Sequence, residues 1–150
     1  MIKTEEAYKN ALQRLEKDRE YLAAYRAQLN EQGLTTDEIT RVMEPQMSFH
    51  QQLNDEVTWY EGARRGDPQA IDSLRDLGRL LIALRIASGM SQRELATKLS
   101  VHESQISRDE RNEYYGISMD RAQEIIEALN ANLAITAQPR DIMVRDLLPP

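Results

Sequence analysis

The stretch Gly89-Met90-Ser91-Gln92-Arg93-Glu94-Leu95-Ala96, followed shortly by Ser104-Gln105-Ile106-Ser107-Arg108, constrains this chain most. Ser91 and Glu94 have capping-box spacing and Met90 and Leu95 stand as a hydrophobic staple, so a helix starts at about Gln92. Leu95, Ala96 and Leu99 give it a short inward face. Ser100-Val101-His102 is a turn, and Ile106 is the inward anchor of a second helix. Two helices crossing steeply need a small residue at the crossing, an apolar residue in the turn and an apolar anchor beyond it. Ala96, Val101 and Ile106 occupy those places.

With Ile106 facing inward, Glu103, Ser104, Ser107, Arg108 and Arg111 fall on the opposite side at helical spacing. Such a polar row is about as long as a major-groove contact needs. Arg108 suits bidentate recognition of guanine, Ser104 and Ser107 can each exchange a hydrogen bond, and Glu103 can accept from cytosine. Gln92, at the start of the preceding helix, is placed to bind phosphate with that helix's free amides.

The segments around this pair also read as helices. Thr4 can cap a long helix with Glu5 and Glu6 in its first turn. Tyr8, Leu15, Leu22 and Leu29 recur every seven residues along it, and Gly33 is its stop. Asp18 and Arg19 interrupt that seam, which fits intramolecular or antiparallel packing better than a long parallel coiled coil. Thr35 and Glu38 then repeat the capping-box spacing, and Pro45 is expected to end or bend this helix. A third helix is expected from about Ser48 to Arg64, with Phe49, Trp59 and Tyr60 in the core.

Gly66-Asp67-Pro68 is the clearest boundary, with Gly as stop, Asp as cap and Pro at the first helical position. Ile71, Leu74, Leu77, Leu81 and Leu84 then keep helical spacing as far as Gly89. Ser118 caps a last helix with Ala122, Ile125, Ile126 and Leu129 inward, and Leu133–Ala137 has a strand-like pattern. That strand would pair with Ile142–Val144 or with its counterpart in a second subunit. The expected fold is all-α: a helix-turn-helix bundle at 67–133, an N-terminal helical extension for dimerisation or partner binding at 1–66, and a possible short C-terminal β-strand at 134–150.

The net charge of −6 argues mildly against nucleic acid, but it is unevenly spread. Residues 1–73 carry 9 basic and 14 acidic side chains, whereas residues 74–133 carry 8 and 9. The second half would therefore bind through where its arginines point and through dimerisation, rather than through bulk charge. No cysteine means no disulfide and no thiolate metal site. His50 and His102 lie apart without metal-type spacing, and no glycine-rich phosphate loop appears, so neither an enzyme nor a metal or cofactor is expected. His50 beside Asp55 and Glu56 reads as a solvated helix face. The chain lacks a secretory h-region and its longest apolar run stops at Arg85, which leads us to expect a cytoplasmic protein with no membrane partner.

Leu84-Arg85, Gly89, Ser91-Gln92, Glu94-Leu95-Ala96, Val101, Ile106-Ser107 and Glu110 together resemble the helix-turn-helix of the Cro and phage-repressor class, also called the xenobiotic-response-element family. The resemblance runs from about Leu74 to Leu133. It implies a bundle of four or five helices, a double-stranded DNA partner, and a recognition helix at Glu103–Arg111. Gln92, His102, Glu103, Ser104, Ser107, Arg108 and Arg111 fall on positions that commonly touch DNA in that family, and Arg85 and Glu110 on positions that commonly form a structural ion pair.

Three positions depart from the family pattern. His102 replaces the usual Ser or Thr cap, Ser100 a frequent turn glycine, and Asp109 an apolar residue. The opening Ile2–Tyr8 and Ala11–Leu15 is similar to the N-terminus of some antitoxins of the host-inhibition-of-growth type, which implies an autorepressor that neutralises a toxin through its N-terminal helices. The leading reading is a sequence-specific regulator of transcription, a homodimeric repressor of a near-palindromic operator, with the antitoxin and a helical protein-interaction adaptor without DNA binding as alternatives.

Overall fold

The computed structural model describes residues 1–67, 71 and 73–136. Six α-helices follow in order: α1 (Glu5–Glu31), α2 (Thr36–Arg65), α3 (Leu77–Ala87), α4 (Gln92–Lys98), α5 (Glu103–Arg111) and α6 (Met119–Ala128). A single 3-10 turn, Leu74–Asp76, leads into α3. None of the helices among the described residues is long and apolar enough to cross a membrane.

The helix ends are set by local chemistry. The Thr4 hydroxyl accepts from the Ala7 amide at the start of α1 (3.2 Å). Both capping boxes close: the Thr35 amide donates to Glu38 at 2.8 Å, and the Ser91 amide to Glu94 at 2.7 Å. These bonds hold both glutamate carboxyls below their usual range, so their contribution is present above the ordinary carboxylate pKa and is lost as pH falls through the lowered one.

Helices α1 and α2 form a long antiparallel hairpin. Tyr8 stacks on Tyr60 at its base, with ring centroids 4.9 Å apart, and Leu29, Ile39 and Met43 make a small cluster at its tip. The base merges into the main core, where Ala11, Leu15, Val57 and Ala63 join Leu81, Ile82, Leu95, Ile106 and Ile125. This core therefore draws on both sides of Gly66, whose φ of 74° makes it the left-handed C-cap of α2.

Four expectations need correction. Pro45 neither ends nor splits the second helix, and α2 runs through it to Arg65. The cost is one backbone donor, since proline has no amide to offer the Arg41 carbonyl four residues back. Phe49 is not core but 70% exposed, because Met43, Val57 and Tyr60 define the buried face and Phe49 lies off it. Helix α3 starts only at Leu77, because the Ser73 hydroxyl accepts from the Arg75 amide and closes a 3-10 turn first, leaving Leu74 exposed. Residues 133–136 take no strand conformation, since no partner strand exists among the described residues. Pro68, Ala137 and Ile142–Val144 lie outside them.

Two backbone features place α5 against the rest of the core. A Cβ on Gly78 of α3 would stand 1.7 Å from the Glu113 carbonyl oxygen, so only glycine lets the loop after α5 lie directly on α3. Ser100, in the turn between α4 and α5, has φ +55°, the left-handed conformation a glycine would adopt more readily. Gly78→Ala is expected to destabilise the fold by about 1–3 kcal/mol through overpacking against backbone, whereas Ser100→Gly should be neutral or stabilise it by up to about 1 kcal/mol. Urea unfolding followed by circular dichroism measures both. An unchanged midpoint for Gly78→Ala would contradict the close approach.

Candidate nucleic-acid interface

Helices α4 and α5 pack as the crossed pair anticipated from Ala96, Val101 and Ile106. Leu95, Ala96 and Ile106 are buried and Val101 is half-buried at the turn. The Val101 amide donates to the Ala96 carbonyl (3.0 Å), which closes the turn after Ser100. His102 takes over the cap of α5: its Nδ1 accepts from the Ser104 amide at 3.2 Å and lies 2.9 Å from the Ser104 hydroxyl. A ring nitrogen thus does what a serine or threonine oxygen does elsewhere.

A buried polar network sets the orientation of α5. Arg85 of α3 and Glu110 of α5 pair through the Nε and Nη2 atoms of the guanidinium, the second contact at 2.8 Å, with side chains 4% and 0% exposed. Arg85 also donates to the Met90 carbonyl through Nη1 and to the Lys3 carbonyl through Nη2, each at 2.8 Å. The Gln92 amide donates to Glu110 Oε2 at 2.8 Å, and the Lys3 ammonium to the Glu110 backbone carbonyl. Burial lowers the Lys3 pKa, although Glu113 and Glu110 favour its charged form. The N-terminal segment, α3, α4 and α5 therefore meet on one ion pair.

The other row of α5 faces solvent. Glu103, Ser104, Arg108 and Arg111 are exposed and Ser107 is half-buried. The side chains of Arg108 and Arg111 make no hydrogen bond or ion pair among the described residues, and the same holds for Arg93 on α4. Gln92 is half-buried at the start of α4, its amide nitrogen committed to Glu110. The seven sequence-derived candidates thus lie on α5, its cap and the first residue of α4. Asp109 is half-buried and borders a cavity of about 420 Å3 with Asn112, Tyr115 and Arg121, so this departure from the family pattern is met by a polar pocket rather than by core. Among the described residues no group of three His, Asp or Glu side chains could hold a metal.

Sequence reasoning missed Lys3, Gly78 and Arg93. Lys3 and Gly78 act through partners 107 and about 35 positions away, which no local pattern reports. Arg93 carried a signal, being a basic residue one position after Gln92 in a capped first turn.

The hub is open to a direct test. Glu110→Gln should destabilise the chain by about 3–5 kcal/mol, because it leaves the Arg85 charge buried and unpaired. The double change Arg85→Met with Glu110→Leu should recover much of that loss in urea titrations; equal losses in both variants would remove the pair from its central place.

In comparisons with known proteins, residues 81–135, just over a third of the chain, match the helix-turn-helix family model. A search of curated proteins and one of solved structures each find no match to the chain. The matched span opens within α3 and contains Arg85, α4, α5 and α6, so residues 81–135 form a helix-turn-helix domain of the Cro type, a DNA-binding class.

Proposed function

We propose that this chain is a sequence-specific regulator of transcription that binds double-stranded DNA as a dimer, with α5 in the major groove of each half of a near-palindromic operator. It represses by occupying that operator. The observation that carries this reading is the division of α5 into two rows. Ile106 and Glu110 are wholly buried, while Arg108 and Arg111 stand exposed without partners among the described residues. An arginine left unpaired on a rigid helix is pre-organised for the two acceptors of a guanine edge. Glu103, Ser104 and Ser107 complete the reading row, His102 holds the helix start, and Gln92 and Arg93 lie where the phosphate backbone passes.

Selection of bound DNA from a random pool tests the whole reading, and two half-sites about one helical turn apart are expected. Arg108→Ala should relax base preference at one position per half-site at a cost of about 1–3 kcal/mol. Gln92→Ala should weaken all sequences alike. Unchanged selected sites with Arg108→Ala would displace this register, and an absence of salt-dependent binding at low ionic strength would remove DNA as the ligand.

A further inference from the structure

We infer that one side of the α1–α2 hairpin is the surface through which two copies of this chain associate, an inference that rests on the dimeric reading above. The hairpin buries its seam and leaves two flanks. On one flank, α1 presents Arg14, Lys17, Tyr21 and Tyr25 at spacings of three and four residues, and α2 presents Glu38, Val42, Pro45, Phe49 and Glu56 at similar spacings. Both stripes are displaced in the same rotational sense from the shared seam. In an antiparallel pair of right-handed helices that puts them on the same side.

The levels also coincide. With Tyr8 stacked on Tyr60 and Leu29 clustered with Ile39, Tyr21 and Phe49 both fall near the middle of the hairpin. Phe49 is 70% and Tyr21 57% exposed, with Val42 also exposed and Tyr21 stacked on Tyr25 at 5.8 Å. The middle of this flank thus groups Tyr21, Tyr25, Val42 and Phe49, with Lys17 one turn from Tyr21 at its border, an aromatic-rich patch on two helices that are otherwise densely charged. The opposite flank exposes only Leu12 and Met47 among large apolar side chains.

A second copy is the occupant that the edges fit. The α1 stripe ends in two basic residues, Lys17 and Arg14, the latter also 3.8 Å from Asp18 of its own helix, and the α2 stripe ends at the same base of the hairpin in the acidic Glu56, while the Glu38 carboxylate at the tip is held in its own capping box. A two-fold axis along the hairpin lays α1 of one copy on α2 of the other. Arg14 then stands level with the partner's Glu56, which keeps the amine of Met1 at 2.9 Å and is still 32% exposed. That arrangement brings both helix-turn-helix domains to the same end of a four-helix bundle. Its size is adequate: a face about 40 Å long and two helices, about 20 Å, wide offers on the order of 800 Å2 per partner, the area of a standard stable interface.

Sedimentation of the full chain without DNA tests this. The wild type is expected to be dimeric at tens of micromolar, and Phe49→Asp and Tyr21→Glu should each raise the dimer dissociation constant at least about tenfold. Met47→Asp, on the opposite flank, should leave it unchanged. Arg14→Glu should weaken association and Glu56→Arg added to it should restore it. A monomeric wild type, equal effects of Phe49→Asp and Met47→Asp, or no rescue in the Arg14–Glu56 pair each overturns the inference. Binding of a single half-site at low salt is read separately: a dimer that binds no DNA refutes the regulator and leaves this interface standing, while a monomer that binds a half-site does the reverse.

Discussion

The Arg85–Glu110 pair is the constraint from which the rest of the domain takes its geometry. Two charges with side chains almost wholly out of water are tolerable only when their remaining donors and acceptors are satisfied, and here the partners come from three further places: the N-terminal segment, the turn before α4 and the start of α4. Arg85 reaches back to the Lys3 carbonyl and across to the Met90 carbonyl, so it fixes both the N-terminal segment and the turn before α4. Glu110 receives Gln92 and offers its backbone carbonyl to Lys3. A hydrophobic contact in the same place would hold α3 and α5 together without specifying how α5 is turned about its own axis. The forked geometry of a guanidinium on a carboxylate does specify it.

That orientation explains how one short helix can hold a fixed outward row of polar side chains. A nine-residue helix is marginal by itself in water, and its stability here comes from Ile106, Glu110 and the His102 cap. The loop after α5 adds a second restraint, since Glu113 and Tyr114 both have left-handed backbone and Tyr114 is buried. Conformations of that kind persist only where the surroundings enforce them. Gly78 provides the room, and burial holds the Tyr114 hydroxyl well above its ordinary pKa.

The parts of this structure that were legible in the sequence are those decided within four residues. Ser91 with Glu94, Thr35 with Glu38, Gly33 and Gly66 locate helix ends because capping is a local matter between a side chain and nearby amides. The crossed pair was legible for the same reason, from Ala96, Val101 and Ile106. Contacts between distant segments were not. Pro45 read as a break because propensity cannot know that Met43 and Val57, on either side of it, are both buried along one face. Phe49 read as core because aromatic residues usually are, yet its position off the Met43–Val57 face sends it outward. The strand-like Leu133–Thr136 has no neighbouring strand among the described residues, and a strand needs one. Within the candidate interface, the outward row of α5 followed from Ile106 alone, whereas Lys3 and the role of Gly78 had no local trace.

The separation of α5 into a buried row and an exposed row has a consequence for how such a protein can diverge. Ser104, Arg108 and Arg111 contribute little to the core, so under the proposed function exchanging them would change what is read while the scaffold stays intact, and a duplicated copy would need only a few substitutions to take a new target. Gln92 is the exception. Its amide is held by Glu110, so in the proposed role a change there would touch recognition and folding together. If the chain reads DNA as proposed, drift in target preference should therefore run along the exposed row of α5 and leave the first residue of α4 alone.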